Sequence, residues 1–135
     1  MLSKIRFIFI LLVAITAGNA SFAQVYSASA KMDSTKIPIG GQTRIQLKVF
    51  VPAEVMQQKD KFVQWPLLSD TISKEIEIVE AGPLDTTLSA DKKTYFLTQT
   101  LTITSFDSGY QVIPPFRFLK DGDSNRFFET QALLL

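Results

Sequence analysis

The side chains able to do chemistry in this chain are acids, amides, hydroxyls and a few aromatic rings, because its 135 residues include no His and no Cys. A Ser-His-Asp triad, a thiol nucleophile and an ordinary zinc site are thereby removed. Paired carboxylates remain. Glu75 and Glu77 stand beside Lys74, and glycoside hydrolysis needs two acids flanking one bond. On one face of one strand and next to a lysine, they read as a solvated face, and so short a chain leaves little room for a substrate cleft beside its core. Asp121, Asp123 and Asn125 have the one-three-five spacing that opens a calcium loop, with Glu129 at the ninth position. The sixth position is Arg126 where such a loop needs Gly, and the twelfth is Ala132 where it needs Glu. The run therefore reads as a hairpin turn using Asp-Gly and Asn for backbone reasons. Trp65, Tyr95 and Tyr110 have ring faces that could stack on sugars, but strand positions beside apolar neighbours place such rings in a core. Trp65 and Tyr110 stand as the candidate binding residues; no catalytic residue, metal ligand or cofactor is assigned.

The elements that position these residues are strands. From Thr94 to Ile103, Tyr95, Leu97, Leu101 and Ile103 share one parity, interrupted by Gln99, while Thr98, Thr100, Thr102 and Thr104 fill the other. This is a half-buried antiparallel strand. Phe106 to Gly109 turn the chain, Tyr110 to Ile113 form a short return strand, and Pro114 and Pro115 end the pairing. The run from Asp107 to Tyr110 is similar to the tyrosine corner of β-sandwiches with a spacing one residue short, so Tyr110 is either the corner residue or a plain core aromatic. Upstream, Val25 to Met32 is a first strand, Ile37 to Ile39 continue it as a kinked edge, and Gly40 and Gly41 allow a tight turn. Thr43 to Val51 is a second clear strand, with Ile45, Leu47, Val49 and Val51 in phase, and Pro52 stops it. Ala53 to Lys61 can manage a helical turn or two, and Phe62 to Trp65 make a brief strand before the loop from Leu67 to Ser73. Ile76 and Ile78 mark another strand, Leu84 to Lys93 is a polar connection, Phe116 to Leu119 is a strand, and Arg126 to Leu135 is the last. Seven or eight short strands without a convincing helix predict an all-β fold, an immunoglobulin-like antiparallel β-sandwich.

The first residues stand apart from that domain. Lys4 and Arg6 precede an unbroken apolar run from Phe7 to Ile15, and Ser21, Phe22 and Ala23 offer the small-x-small pattern of a signal peptidase site. Residues 1–23 are expected to be a signal peptide and 24–135 the domain. Without Lys4 and Arg6 the 14 basic residues become 12 against 13 acids, and no basic stripe exists to neutralise phosphates, so no nucleic-acid partner is expected. No disulfide is possible, so the fold rests on burial of Ile, Leu, Val and Phe. The oily end at Ala132 to Leu135 is read as a boundary inside a longer protein.

Five segments carry a family resemblance: Ile37 to Gln42, Trp65 to Ile72, Ile76 to Val79, Leu84 to Thr86, and above all Ile103 to Phe116, ITSFDSGYQVIPPF. In these the chain resembles the BatD-like proteins of Bacteroidetes, exported components of the aerotolerance gene cluster. It departs from them at Gly41, where such proteins often carry an acid before the Gln. The resemblance implies a signal peptide, one or more immunoglobulin-like domains facing the periplasm, and a later membrane helix that anchors the full-length protein in the inner membrane. It further implies envelope partners with von Willebrand factor A domains, a MoxR-type ATPase in the same context, and a link to stress or oxygen tolerance. No catalytic residues come with it. The resulting expectation is a non-enzymatic protein-interaction module that offers strand edges or loops to another envelope protein; the alternative is a carbohydrate-binding or surface-adhesion sandwich using Trp65 or Tyr110.

Overall fold

The computed structural model describes residues 26–135. The expected signal peptide and its cleavage site lie outside the described residues. The elements are β1 (Ser27–Met32), β2 (Gln42–Pro52), α1 (Ala53–Met56), β3 (Val63–Gln64), β4 (Ile76–Ala81), β5 (Asp85–Leu88), β6 (Thr94–Ser105), β7 (Val112–Ile113), β8 (Arg117–Lys120), β9 (Asp123–Glu129) and β10 (Leu133–Leu134). All the strand pairings are antiparallel.

Alternation in the sequence sets the faces of the two long strands. Along β2, Ile45, Leu47, Val49 and Val51 are fully buried, whereas Arg44 and Gln46 between them are exposed. Along β6, Leu97, Leu101 and Ile103 are buried, and Thr98, Thr100 and Thr102 lie half-exposed on the other face. The two strands pair from Gln42 opposite Thr104 to Pro52 opposite Thr94, a register fixed because a slip of one residue would turn every apolar side chain outward. Pro52 then starts the single turn of α1, which buries Ala53 and Val55 and has no capping side chain.

The larger sheet runs β1-β2-β6-β4, with β5 also pairing to β6; a second runs β3-β8-β9, and β7 pairs with β10 in a small ladder. Strand β6 is long enough to carry two partners on one edge: β4 covers Leu101 to Ser105 and β5 covers Tyr95 to Thr98. The chain passes from one to the other at Gly82, whose N–H donates to the Thr100 carbonyl at 2.9 Å. One core joins the sheets, with Leu47, Leu101 and Ile103 from the first, Phe118 from the second, and Ile113 from the small ladder. Two side-chain bonds also cross between them, Trp65 Nε1 to Gln99 Oε1 at 2.6 Å and Gln131 Nε2 to the Ala30 carbonyl at 2.7 Å. The architecture is all-β, of antiparallel open sheets, and is consistent with a β-sandwich.

Four segments differ from the sequence reading. The polar connection from Leu84 to Lys93 contains β5, every residue of which is exposed, so it has no apolar face to betray it. The return strand at Tyr110 to Ile113 does not run back along β6; Val112 and Ile113 pair with Leu134 and Leu133. The last strand divides into β9 and β10, because at the break the Thr130 hydroxyl accepts the Phe116 N–H at 3.0 Å and donates to the Gln131 carbonyl at 3.0 Å. Ile37 to Ile39 form no strand, since the Pro38 carbonyl accepts the Gly41 N–H at 2.8 Å and closes a turn.

Candidate functional site

Two turns meet at one end of the sheets. Between β1 and β2, Gly40 adopts φ +74° and donates its N–H to the Ser105 carbonyl at 2.8 Å, tying this turn to the end of β6. Thr104 adds a second tie by donating its hydroxyl to the Gly41 carbonyl at 2.7 Å. A Cβ at Gly41 would lie 2.8 Å from Pro38 Cδ and 2.9 Å from the Pro38 carbonyl oxygen. Any side chain at this position therefore requires the turn to shift. From the other side Phe106 follows β6 and covers Gly40, whose added Cβ would sit 3.1 Å from its ring.

The loop from Asp107 to Gln111 completes the site. Gly109, at φ +93°, reverses the chain there. Gln111 is buried: its Nε2 donates to the Asp107 carbonyl at 3.0 Å, and its backbone exchanges two hydrogen bonds of 2.9 Å with Leu135. Its Oε1 is buried without a protein partner. Between the two turns lies an open groove of about 250 Å³, lined among others by Lys36, Ile37, Pro38, Asp107, Tyr110 and Gln111. Tyr110 in its lining is 88% exposed, and on the bordering turns Ile39 is 66% and Phe106 62% exposed. Beside the groove, paired Val112 and Leu134 are exposed as well.

Tyr110 is thus neither a corner residue nor a core aromatic. The corner spacing is one residue short at Tyr110, and the buried position falls to the next residue, Gln111, whose amide closes the loop. Trp65 sits elsewhere. It follows β3, lies half-buried with its ring edge-on to Phe118 at 4.7 Å between centroids, and directs its N–H to Gln99. Its ring and donor both serve the packing between sheets, and it does not line the groove with Tyr110. Tyr95 is half-buried on β6.

The calcium-like spacing serves a hairpin. Asp121 and Gly122 have φ of +54° and +72° and join Lys120 to its partner Asp123, as a two-residue turn between twisted strands requires. Asp121 Oδ1 accepts the Phe62 N–H at 3.0 Å, and Oδ2 lies 3.4 Å from both Lys61 Nζ and Arg126 Nη1. The Phe62 N–H foremost, then the two cations, hold its carboxyl below the ordinary range. Asp123 Oδ1 accepts the Asn125 N–H at 2.9 Å. Among the described residues no group of three or more His, Cys, Asp or Glu is placed to hold a metal ion. Glu77 lies exposed on β4, and Glu75 just before it accepts the Ser73 hydroxyl at 3.4 Å.

Sequence reasoning passed over Phe106, Ile39 and Gln111. For Phe106 and Ile39 the available signal was an apolar residue within a turn, where burial is least expected; Gln111 carried no such signal. Comparison with protein-family models, curated proteins and solved structures finds no match to the chain. Among the described residues no helix is long and apolar enough to cross a membrane.

Proposed function

We propose that residues 24–135 form an immunoglobulin-like, non-enzymatic protein-interaction module of a BatD-like envelope protein, which docks a periplasmic partner at the groove beside Tyr110. The observation that carries this reading is the water-facing Tyr110 ring on a groove also lined by Ile37 and Pro38, with Phe106 and Ile39 exposed on the two turns that border it. Exposed apolar side chains gathered in one place, with an aromatic ring among them, are characteristic of protein contacts. The immunoglobulin-like type is supported by strand order. Read with β4 and β5 as one interrupted strand, β1-β2-β6-β4 and β3-β8-β9 correspond to the A-B-E-D and C-F-G sheets of that fold, and Trp65 follows the C-equivalent strand. A partner with a von Willebrand factor A domain and a role in stress or oxygen tolerance rest on the family resemblance alone. The test is photo-crosslinking in intact envelopes, with the reactive residue at Tyr110 or, as control, at Thr98 on the sheet face. A specific partner captured from Tyr110 and lost with Phe106→Ser supports the module; equal capture from both positions, or none from Tyr110, overturns the site.

A carbohydrate-binding reading draws on one observation, the exposed Tyr110 ring beside the polar groups Lys36 and Asp107. Glycan-array binding abolished by Tyr110→Ala would replace the protein partner with a polysaccharide. Trp65→Ala is not expected to act through ligand contact, because the Trp65 N–H is already bonded to Gln99.

A further inference from the structure

The outward face of the larger sheet is divided by charge. Register places Arg44, Thr102 and Glu80 in one row across β2, β6 and β4. A second row holds Lys48, Thr98 and Asp85 across β2, β6 and β5. Lys31 on β1, paired with Gln46, extends the basic side between these rows. The face thus runs from a basic side, through the threonines of β6, to an acidic edge. At one end Phe50 pairs with Phe96, their rings edge to face at 5.2 Å.

Among the described residues most of these charges have no counter-charge. Strands stand ~4.8 Å apart, so a β2 residue and its β4 or β5 counterpart are about 10 Å apart at the backbone, too far for direct contact. Among the described residues Lys31, Lys48, Glu80 and Asp85 make no ion pair, and Arg44 meets only the exposed Asp33 at 3.8 Å.

We propose that a second copy of this chain docks on this face, about a two-fold axis that runs along the strands. That rotation exchanges the basic and acidic sides while keeping position along the strands. It sets Lys31 of one copy over the gap between Glu80 and Asp85 of the other, and Phe50 of one against Phe96 of the other. A two-fold axis across the strands would instead set basic on basic, so one geometry is selected. The face spans three strand intervals and eight residue steps, which gives on the order of 1,000 Å² buried over both copies once side chains are included. That area and its charged character define a weak, reversible and salt-sensitive dimer. This surface is separate from the groove at Tyr110, and neither reading depends on the other.

Sedimentation velocity on the purified protein at low and high salt tests the proposal, with circular dichroism to show that each variant folds. Association at low salt that weakens at high salt is expected, and Lys31→Glu or Glu80→Lys alone should each weaken it about tenfold. Mixing the two variants should restore it, since across the axis one contact becomes Glu-to-Lys while the other stays Lys-to-Glu. A monomer at every concentration in low salt overturns the proposal. So does a dimer indifferent to both charge reversals, or a mixture no tighter than its components.

Discussion

Replacing Gln99 by leucine would complete the apolar parity of β6, and it is expected to weaken the domain. The Gln99 amide bridges three elements: Oε1 accepts the Trp65 N–H at 2.6 Å, and Nε2 donates to the Gly82 carbonyl at 2.8 Å. Leucine leaves an indole donor and a backbone acceptor without partners in a half-buried place. A hydrogen bond of this kind contributes about 1 kcal/mol net, and an abandoned partner costs about 1–3 kcal/mol where water cannot reach it. Partial exposure puts both groups at the low end, and added apolar burial returns up to about 1 kcal/mol. The balance is a loss of about 1–2 kcal/mol, or roughly 4–8 °C in Tm for a domain of this size. Urea unfolding reads it directly, because Trp65 is the only tryptophan and its fluorescence reports its own surroundings. Gln99→Glu keeps the acceptor for Trp65 but sets a carboxylate oxygen against the Gly82 carbonyl, so at neutral pH it should be at least as destabilising as leucine. A double-mutant cycle with Trp65→Phe, followed by circular dichroism, should return a coupling near 1 kcal/mol. A Gln99→Leu variant as stable as wild type would refute the reasoning, since alternation alone would then account for β6.

Three further outcomes follow from the same geometry. Gly122→Ala places a Cβ at φ +72° and 3.3 Å from the Phe62 ring, and should cost about 1–2 kcal/mol in chemical denaturation. The Asp121 carboxyl titrates below its ordinary value in the folded state, so its contribution is present above about pH 4 and is lost as pH falls through the lower folded pKa. Asp121→Asn keeps an acceptor for the Phe62 N–H but removes both ion pairs, and should flatten the acid side of a stability-pH profile measured between about pH 2 and 6. Ile103→Asp puts an unpaired charge at a fully buried position and should abolish folding at a cost of several kcal/mol, whereas soluble variant protein with a native-like spectrum would contradict the assigned inward face of β6.

What was legible in the sequence was periodic or stereochemically forced. Ile45, Leu47, Val49 and Val51 declared the inner face of β2, and Asp121-Gly122 declared its hairpin because both residues tolerate positive φ. What escaped was whatever buried nothing or depended on a distant partner. Asp85 to Leu88 form an exposed edge, so no alternation was available to reveal β5. Val112 and Ile113 are too few to encode a partner, and their pairing with Leu134 and Leu133 is a fact of topology. At the corner, Tyr110 and Gln111 compete for one buried position, and size and hydrophobicity favour the wrong one. Gln111 is the buried residue because its amide reaches the Asp107 carbonyl while its backbone pairs with Leu135.

The structure also narrows which surfaces can meet a partner. Strand edges looked as available as loops in the sequence, but the edges are obstructed. Along the outer side of β6, pairing is broken by a bulge at Val79 and by the Gly82-Pro83 step, and Glu77, Glu80 and Asp85 add charge. Bulges, proline and charge each oppose the addition of a further strand. On β1, the Ala30 carbonyl is engaged by Gln131, and β9 carries Asp123, Arg126 and Glu129 along its length. An added strand at any of these edges would have to forgo backbone bonds or desolvate charges. The loop end around Tyr110 and the charge-divided sheet face spare the first cost, since a partner there meets side chains and leaves the hydrogen-bonded ladders intact, and on the sheet face the charges that lose water meet opposite charges. Recognition by this domain is therefore expected to be read by side chains, and substitutions at Tyr110 or Lys31 should alter binding without altering the fold.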